Sequence, residues 1–260
     1  MFIHEAGDHR NPTIVFLHAV GSSSLLWQKH FSALKDEFYC IAPDLPGHGK
    51  SNKEHWSTVE QVGKQIAGII RDRTSNKIHV VGLSLGGILA MHLLAHYPAL
   101  IERVVVDGAS ATPIPGAFAI RGGITILSPF LHSSVVIKAI AKSLKLKEKN
   151  ADSFFTDMRN AHPRSFARAL SQANSKLDLQ GLEESTNPVL FLAGELEHGV
   201  AQSNKRLSKI MPNAMSIVIP GVNHGWLTQK PDLHIQLVKT WLLNGDNASM
   251  QKIWDTWPKV

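Results

Sequence analysis

The stretch Ile78-His79-Val80-Val81-Gly82-Leu83-Ser84-Leu85-Gly86 carries the strongest fold signal of the chain. An apolar run typical of a buried strand leads into a G-x-S-x-G motif, and a helical pattern from about Leu85 to His96 follows. In such a turn the serine is held in a strained backbone conformation, and glycine is needed where a Cβ would crowd the neighbouring strand or helix. The pattern predicts that Ser84 is a nucleophile at a strand-to-helix turn.

Length and composition are those of one large α/β domain or of a domain with a substantial insertion. The 260 residues, 43% of them hydrophobic, are enough to bury a sizeable core. The single cysteine, Cys40, lies in an apolar stretch and is predicted to fill core space. Because the N-terminus has no signal-peptide pattern and no run of about 18 apolar residues is present, we expect a soluble cytoplasmic protein without membrane insertion.

Strand-like and helix-like segments alternate along most of the chain. Six apolar runs predict strands near 13–18, 39–43, 78–81, 104–106, 189–192 and 216–219. Four periodic segments predict helices near 59–71, 85–96, 202–210 and 232–243. This alternation predicts an α/β fold whose mostly parallel sheet is covered on both faces. Since the pattern changes in between, we expect a core domain of residues 1–111 and 185–260 with a helical cap inserted at 112–184.

Three further motifs stand in a fixed order around Ser84. They are His18-Ala19-Val20-Gly21-Ser22, Asp44-Leu45-Pro46-Gly47-His48-Gly49-Lys50-Ser51 and Gly221-Val222-Asn223-His224-Gly225. With these four motifs the chain resembles α/β-hydrolase fold proteins over nearly its whole length. The resemblance implies a serine hydrolase with a catalytic triad in the chain order Ser, acid, His. It leaves the substrate open, because this fold hosts many unrelated reactions.

A serine hydroxyl needs a base that removes its proton during attack, and His224 is the best candidate among 14 histidines. It lies in a glycine-rich loop just past the last apolar strand, where a parallel sheet presents its carboxyl edge to ligands. The resemblance places the acid three residues beyond a glycine, which here is Glu197. The family usually has aspartate there, so Asp107, at the end of an earlier strand, and Glu195 remain alternatives.

The resemblance also implies an oxyanion hole built from backbone N–H groups. One belongs to Leu85, the residue after the nucleophile, and the other to Val20 in the loop after the first buried strand. Ala19 stands where the family more often has glycine. His18 is expected to support this loop through hydrogen bonds rather than to accept the serine proton.

Other classes of ligand find little support in the sequence. The net charge of +6 comes without zinc-finger spacing, an RNP-like motif or a polybasic block, which argues against nucleic-acid binding. The motif that begins at Asp44 lacks the P-loop pattern and is expected to form a structural turn; no metal or cofactor is predicted. Four lysines at helical spacing predict a solvated face, with a surface for anionic substrates or lipids as the alternative: Lys138, Lys142, Lys145 and Lys149.

The favoured hypothesis is a serine hydrolase that cleaves a small-molecule carboxylic ester, lactone or thioester through an acyl-enzyme. One alternative is a carbon–oxygen lyase resembling the menaquinone-pathway synthase of this fold, with Arg121 and the basic cap holding an anionic substrate. Another is a non-hydrolytic ligand receptor or signalling protein. The sequence makes no prediction of oligomeric state. Apolar cap side chains are expected to form a wall over Ser84: Phe118, Ile124, Ile126, Phe130, Phe154 and Phe155.

Overall fold

The computed structural model describes residues 1–113, 116, 123, 128–143, 151–175 and 181–256. Six residues singled out in the sequence lie outside this described part of the chain: Phe118, Arg121, Ile124, Ile126, Lys145 and Lys149.

Seven strands form one sheet. Their bounds are β1 Ile3–Ala6, β2 Thr13–Leu17, β3 Tyr39–Pro43, β4 Ile78–Leu83, β5 Ile101–Asp107, β6 Val189–Gly194 and β7 Ala214–Ile219. The strand order is β1-β3-β2-β4-β5-β6-β7, with β1 antiparallel to β3 and every other neighbouring pair parallel. The predicted mostly parallel sheet is confirmed, and the antiparallel edge strand β1 is added to it.

Nine α-helices lie in the described part of the chain. Their bounds are α1 Gln28–Leu34, α2 Val59–Arg73, α3 Leu85–His96, α4 Ser134–Ser143, α5 Ala151–Asn160, α6 Pro163–Ala173, α7 His198–Ile210, α8 Pro231–Asn244 and α9 Asn247–Thr256. The four predicted helices are present as α2, α3, α7 and α8, and α7 begins earlier than predicted, at His198. None of these helices is long and apolar enough to cross a membrane.

Helices cover both faces of the sheet, which explains the continuous apolar strands. In β2, Val15 and Leu17 join a core with α2 and α3, whereas Ile14 and Phe16 join a second core with α1 and α8. All five residues of β2 are buried. Because full burial of a large aliphatic side chain stabilises a fold by about 1.5–3 kcal/mol, both cores fix the strands firmly. The carboxyl ends of β4, β5 and β6 are thereby held side by side.

The helix that follows β4 is buried on nearly every side. Most of the residues of α3 are buried, since the helix packs on the sheet, on α2 and on α6. A helix enclosed in this way has no polar face to satisfy, which accounts for its apolar sequence. The residue at its N-terminal end is therefore attached to one of the most constrained elements of the molecule.

Among the described residues between β5 and β6 there are three α-helices, α4, α5 and α6, and we call them the intervening helices. They have a small apolar core of their own, formed by Leu131, Ile137, Met158, Ala161 and Phe166. Val20, from the loop after β2, packs against that core. The intervening helices thus contact the loop in which the sequence places an oxyanion donor.

Candidate active site

Ser84 occupies the turn between β4 and α3 in a strained backbone conformation. Its φ of 56° makes it the only residue other than glycine with a positive φ in the described part of the chain. The turn is tied to the end of β5 by the Ser84 N–H, which donates to the Asp107 carbonyl oxygen at 2.8 Å. A Cβ at Gly82 would overlap the Gly86 carbonyl, and one at Gly86 would overlap the Leu17 carbonyl. The glycines of the motif therefore permit the close approach that a strained turn requires.

His224 and Glu197 are brought together by the loops after β7 and β6. The imidazole Nδ1 lies 2.7 Å from the Glu197 Oε1, and the other carboxylate oxygen accepts the Gly194 N–H at 2.8 Å. The Glu197 side chain is only 6% exposed, against 26% for His224. With one oxygen held by the backbone, the carboxylate has a fixed orientation and receives the Nδ1–H of the imidazole.

The pKa of His224 results from opposing effects. Burial lowers it, but the hydrogen bond and charge of Glu197, together with the charge of Asp107, outweigh burial and raise the pKa above its ordinary value. A raised pKa means that the site stabilises the imidazolium form. An imidazole in this environment is suited to accept a proton and to hold it while a reaction proceeds.

The two alternative acids have other partners. Asp107 is completely buried, and its Oδ1 accepts the indole N–H of Trp226 at 3.0 Å. Glu195 is exposed, and its Oε2 accepts the Gly221 N–H at 2.8 Å. Of the three candidate acids, Glu197 is the one whose carboxylate is hydrogen-bonded to His224.

Gly108 is a site residue that the sequence reasoning missed. It has a φ of 59°, and a Cβ built on it would lie 2.9 Å from the Nδ1 and Cε1 atoms of His224. The same Cβ would lie 3.5 Å from the Glu197 Oε1. A side chain at this position would press on the His224–Glu197 pair. The sequence signal that could have identified Gly108 is a glycine directly after Asp107, at the end of a predicted strand.

The two predicted oxyanion donors, Leu85 and Val20, belong to the helix after Ser84 and to the loop after β2. Leu85 is the first residue of α3, where backbone N–H groups have no partner within the helix. Val20 lies in the loop after β2 and lines the cavity at Ser84. His18 bridges this loop to the next one: its Nε2 accepts the Leu45 N–H at 2.9 Å, and its Nδ1 lies 2.8 Å from the Ala19 carbonyl oxygen. Burial lowers the pKa of His18, which favours a neutral ring.

The motif that begins at Asp44 forms a tight, internally bonded turn. Asp44 is 2% exposed, and its carboxylate accepts the backbone N–H groups of Ser24 and Lys50, each at 2.7 Å. With both oxygens occupied by the backbone, this carboxylate serves structure. In the described part of the chain, no group of three or more His, Cys, Asp or Glu residues is placed to hold a metal ion.

A cavity of about 810 Å³ opens over Ser84, as defined by the described residues. Ser84, His224 and Glu197 line it from the sheet side, and the intervening helices contribute Phe154 and Phe166. Of the three described residues among those expected to wall the site, Phe154 is in this lining. Phe155 packs against the core of the intervening helices, and Phe130 is 61% exposed.

A carboxyl group in this wall, Asp157 on α5, was not found from the sequence. It is 5% exposed and accepts a hydrogen bond from the Ser23 hydroxyl at 3.0 Å. Burial raises its pKa to about 6. Nothing in the local sequence signals this, because an acid on an amphipathic helix ordinarily faces solvent.

Two relatives that align with most of the chain are named as hydrolases. The chain is 25% identical to a pimeloyl-[acyl-carrier protein] methyl ester esterase of Vibrio vulnificus, over 88% of the chain and 94% of the relative. It is also 25% identical to a 2-(acetamidomethylene)succinate hydrolase of Mesorhizobium japonicum, over 89% of the chain and 88% of the relative.

The fold is shared with a carboxylesterase structure from Nitrososphaera gargenis. The TM-score is 0.82 at 19% identity, over 94% of each chain. The model of the alpha/beta hydrolase family matches residues 14–235. This match covers most of the chain and includes Ser84, Glu197 and His224, and with it the prediction of a hydrolase is confirmed: the chain belongs to the alpha/beta hydrolase family.

Proposed function

We propose that the protein is a serine hydrolase that cleaves a carboxylic ester, lactone or thioester through an acyl-enzyme. One observation carries the proposal: the strained Ser84 and the hydrogen-bonded His224–Glu197 pair line the same cavity. A nucleophile, a base and an acid that orients the base are the three parts that acyl transfer to serine requires.

In the first half of the reaction, the Ser84 Oγ attacks the substrate carbonyl carbon and His224 accepts the hydroxyl proton at Nε2. Glu197 holds the Nδ1–H, which fixes the tautomer that leaves Nε2 free to accept. The protonated imidazole then donates that proton to the leaving oxygen or sulfur. In the second half, His224 takes a proton from water, the hydroxide attacks the acyl-enzyme, and the proton returns to Ser84.

A negative charge develops on the carbonyl oxygen during attack. We assign its stabilisation to hydrogen bonds from the backbone N–H groups of Leu85 and Val20. Leu85 supports this assignment because it begins a helix, where N–H groups are unpaired and the dipole favours an anion. Val20 supports it because it lines the cavity beside Ser84.

We further propose that residues 112–184 form a cap over this site. Phe154 and Phe166 from the intervening helices line the cavity, and Val20 packs on their core. An apolar wall of this kind suits a substrate with an acyl or aromatic portion. The Vibrio vulnificus relative is named as an esterase for a pimeloyl methyl ester, which is a substrate with an acyl portion. We propose no cofactor for this chemistry.

Active-site labelling and turnover together test the proposal. A fluorophosphonate should label Ser84, as mapped by mass spectrometry of the labelled peptide. Short-chain p-nitrophenyl esters should be hydrolysed, and Ser84→Ala should lower kcat by roughly 10⁴-fold or more. Ser32→Ala, at an exposed position on α1, is the matched control and should keep full activity. Full activity of Ser84→Ala would reject Ser84 as the nucleophile.

A panel of esters, lactones and thioesters with equal acyl chains then narrows the substrate class. The expected result is turnover of at least one carbonyl class with the same dependence on Ser84 and His224. Labelling of Ser84 without turnover of any member of the panel would favour the receptor hypothesis instead.

A further inference from the structure

Asp107 carries a buried carboxylate behind the His224 loop, and the proposed reaction gives it no role. It is the last residue of β5 and is completely buried. The indole N–H of Trp226 donates to its Oδ1 at 3.0 Å. Trp226 follows His224 by two residues and is itself fully buried. The turn that carries His224 is therefore attached to the end of β5 by a buried, charge-assisted hydrogen bond.

The second oxygen of Asp107 faces the buried His234, which in turn contacts the buried His30. The His234 Nε2 lies 3.4 Å from the Asp107 Oδ2, and the His234 Nδ1 lies 2.7 Å from the His30 Nε2. His234 is completely buried, and His30 is 1% exposed. Burial, together with the neighbouring His234, lowers the pKa of His30 well below its ordinary value. The 3.4 Å contact between Asp107 and His234 is not a hydrogen bond, so the carboxylate is held by the bond from Trp226 to its Oδ1.

The carboxylate is also close enough to His224 to act on it by charge. Gly108, the next residue, lies against the imidazole, with a built Cβ 2.9 Å from its Nδ1. The charges of Glu197 and Asp107 both raise the pKa of His224 against the lowering effect of burial. Because Asp107 is completely buried, its charge is screened less by water than the charge of a surface carboxylate would be.

A purely structural role does not account for the charge. An asparagine would also accept the Trp226 N–H, through its amide oxygen, in a neutral hydrogen bond. Burying a carboxylate without a full ion pair is unfavourable, and a neutral amide would avoid that. The group that gains from the charge is the imidazole, which becomes positive during the reaction.

We propose that Asp107 is a positioning residue for His224, which fixes the His224 turn through Trp226 and stabilises the imidazolium with its buried charge. The inference rests on the proposed function of His224. It assigns Glu197 and Asp107 different tasks on one base: Glu197 holds the ring directly, and Asp107 acts through Trp226 and through space.

Two substitutions separate the charge from the hydrogen bond. Asp107→Asn keeps an acceptor for Trp226 and removes the charge that helps to raise the pKa of His224, so that pKa should fall. The acid limb of the kcat/KM profile should move to lower pH by the same amount. Trp226→Phe removes the donor and keeps the charge, so kcat should fall about tenfold with little change in KM, while the pKa of His224 stays.

The pKa of His224 is measured by NMR titration of its Cε1–H resonance, which is assigned by its loss in His224→Ala. Trp241→Phe is the matched control: Trp241 is equally buried, and its indole N–H has no hydrogen-bond partner among the described residues. This control should leave both the pKa of His224 and kcat unchanged. Thermal unfolding of each variant checks that it is folded.

An unchanged pKa of His224 in folded Asp107→Asn would overturn the inference, as would an unchanged kcat in Trp226→Phe. Asp107→Asn as inactive as Ser84→Ala, with Glu197→Gln active, would also overturn it by making Asp107 the acid of the triad. Failure of the proposed function has a different signature, namely a wild-type protein without labelling or turnover. The NMR titration still measures the effect of the Asp107 charge in that case.

Discussion

The carboxyl ends of β5 and β6 lie side by side in the sheet, and each is followed by an acidic residue with a different environment. Asp107 ends β5 inside the core and is bonded to an indole. Glu197 stands three residues beyond the end of β6, with one oxygen on the backbone and the other on His224. The turn after β6 places Glu197 outside the core, in the wall of the cavity.

The turn after β6 brings the Glu197 carboxylate within hydrogen-bonding distance of the His224 imidazole. The Glu197 carboxylate reaches both the Gly194 N–H at 2.8 Å and the His224 Nδ1 at 2.7 Å. The extra methylene is accommodated by this turn, which closes through a bond from the Glu197 N–H to the Gly194 carbonyl at 3.0 Å. Position along the chain makes both strand ends candidates, and the turn geometry decides which acid meets the imidazole.

The largest effect should come from the acid that touches the base. Glu197→Gln keeps the size of the side chain but removes its charge, and its amide can present N–H to the imidazole and favour the wrong tautomer. We expect kcat for ester hydrolysis to fall by roughly 10³-fold. Steady-state kinetics at pH 8 measure the loss.

Glu195→Gln is the matched control for this substitution. Glu195 lies two residues away, is exposed and accepts the Gly221 N–H, which a glutamine oxygen also accepts. It should keep kcat within about twofold of the wild type. A similar loss in both variants would point to a general disturbance of the loop after β6 and against the assigned role of Glu197.

A substitution at Gly108, which lies against the His224 imidazole, should give the second largest loss of activity. Gly108→Ala would place a Cβ 2.9 Å from the His224 Nδ1, at a φ of 59° that disfavours any side chain. Displacing the imidazole from Glu197 by a few tenths of an ångström to one ångström should lower kcat by about 100-fold.

Gly68→Ala is the control for the added methyl group. Gly68 lies in α2, and no atom lies within 4 Å of a Cβ built there. This variant should keep full activity and gain about 0.5–1 kcal/mol in the free energy of unfolding, because alanine favours a helix over glycine. Activity of Gly108→Ala equal to that of Gly68→Ala would show that the imidazole has room to move.

The sequence predicts the elements whose signal is local. The elbow at Ser84, the apolar strands and the glycine-rich loop around His224 are each read from neighbouring residues. β1 escapes prediction because its four residues have no fully buried position and so no strong apolar pattern. The position of Glu197 follows from the family resemblance, whereas its hydrogen bond to His224 depends on the turn after β6.

The surroundings of Asp107 could not be predicted, for a different physical reason. Its partners Trp226 and His234 are more than a hundred positions away in the chain, and they reach it only because α8 packs on the second core of the sheet. The motif pattern contains no trace of that contact. Long-range pairing of buried polar groups is set by packing, which a single sequence does not display.

A third carboxyl group, that of Asp157, extends the comparison. Its expected effect is on the stability of the fold and on how that stability depends on pH. Asp157 lines the cavity, and burial together with the charge of Asp44 raises its pKa to about 6, despite the hydrogen bond from Ser23. In the unfolded chain an aspartate titrates near about 3.9. Since the folded pKa is the higher one, ionisation of Asp157 destabilises the fold: the contribution of this group to stability is full below about pH 4 and is lost as the pH rises through 6.

Asp157→Asn removes this ionisation and keeps an acceptor for the Ser23 hydroxyl. The variant should match the wild type in stability at pH 4 and exceed it at pH 8, by at most about 3 kcal/mol. Urea unfolding at the two pH values measures the difference. Ser23→Ala removes the bond that favours the carboxylate, so it should steepen the loss of stability with rising pH. Equal pH dependence in wild type and Asp157→Asn would mean that Asp157, like Glu197, has a partner that offsets its burial.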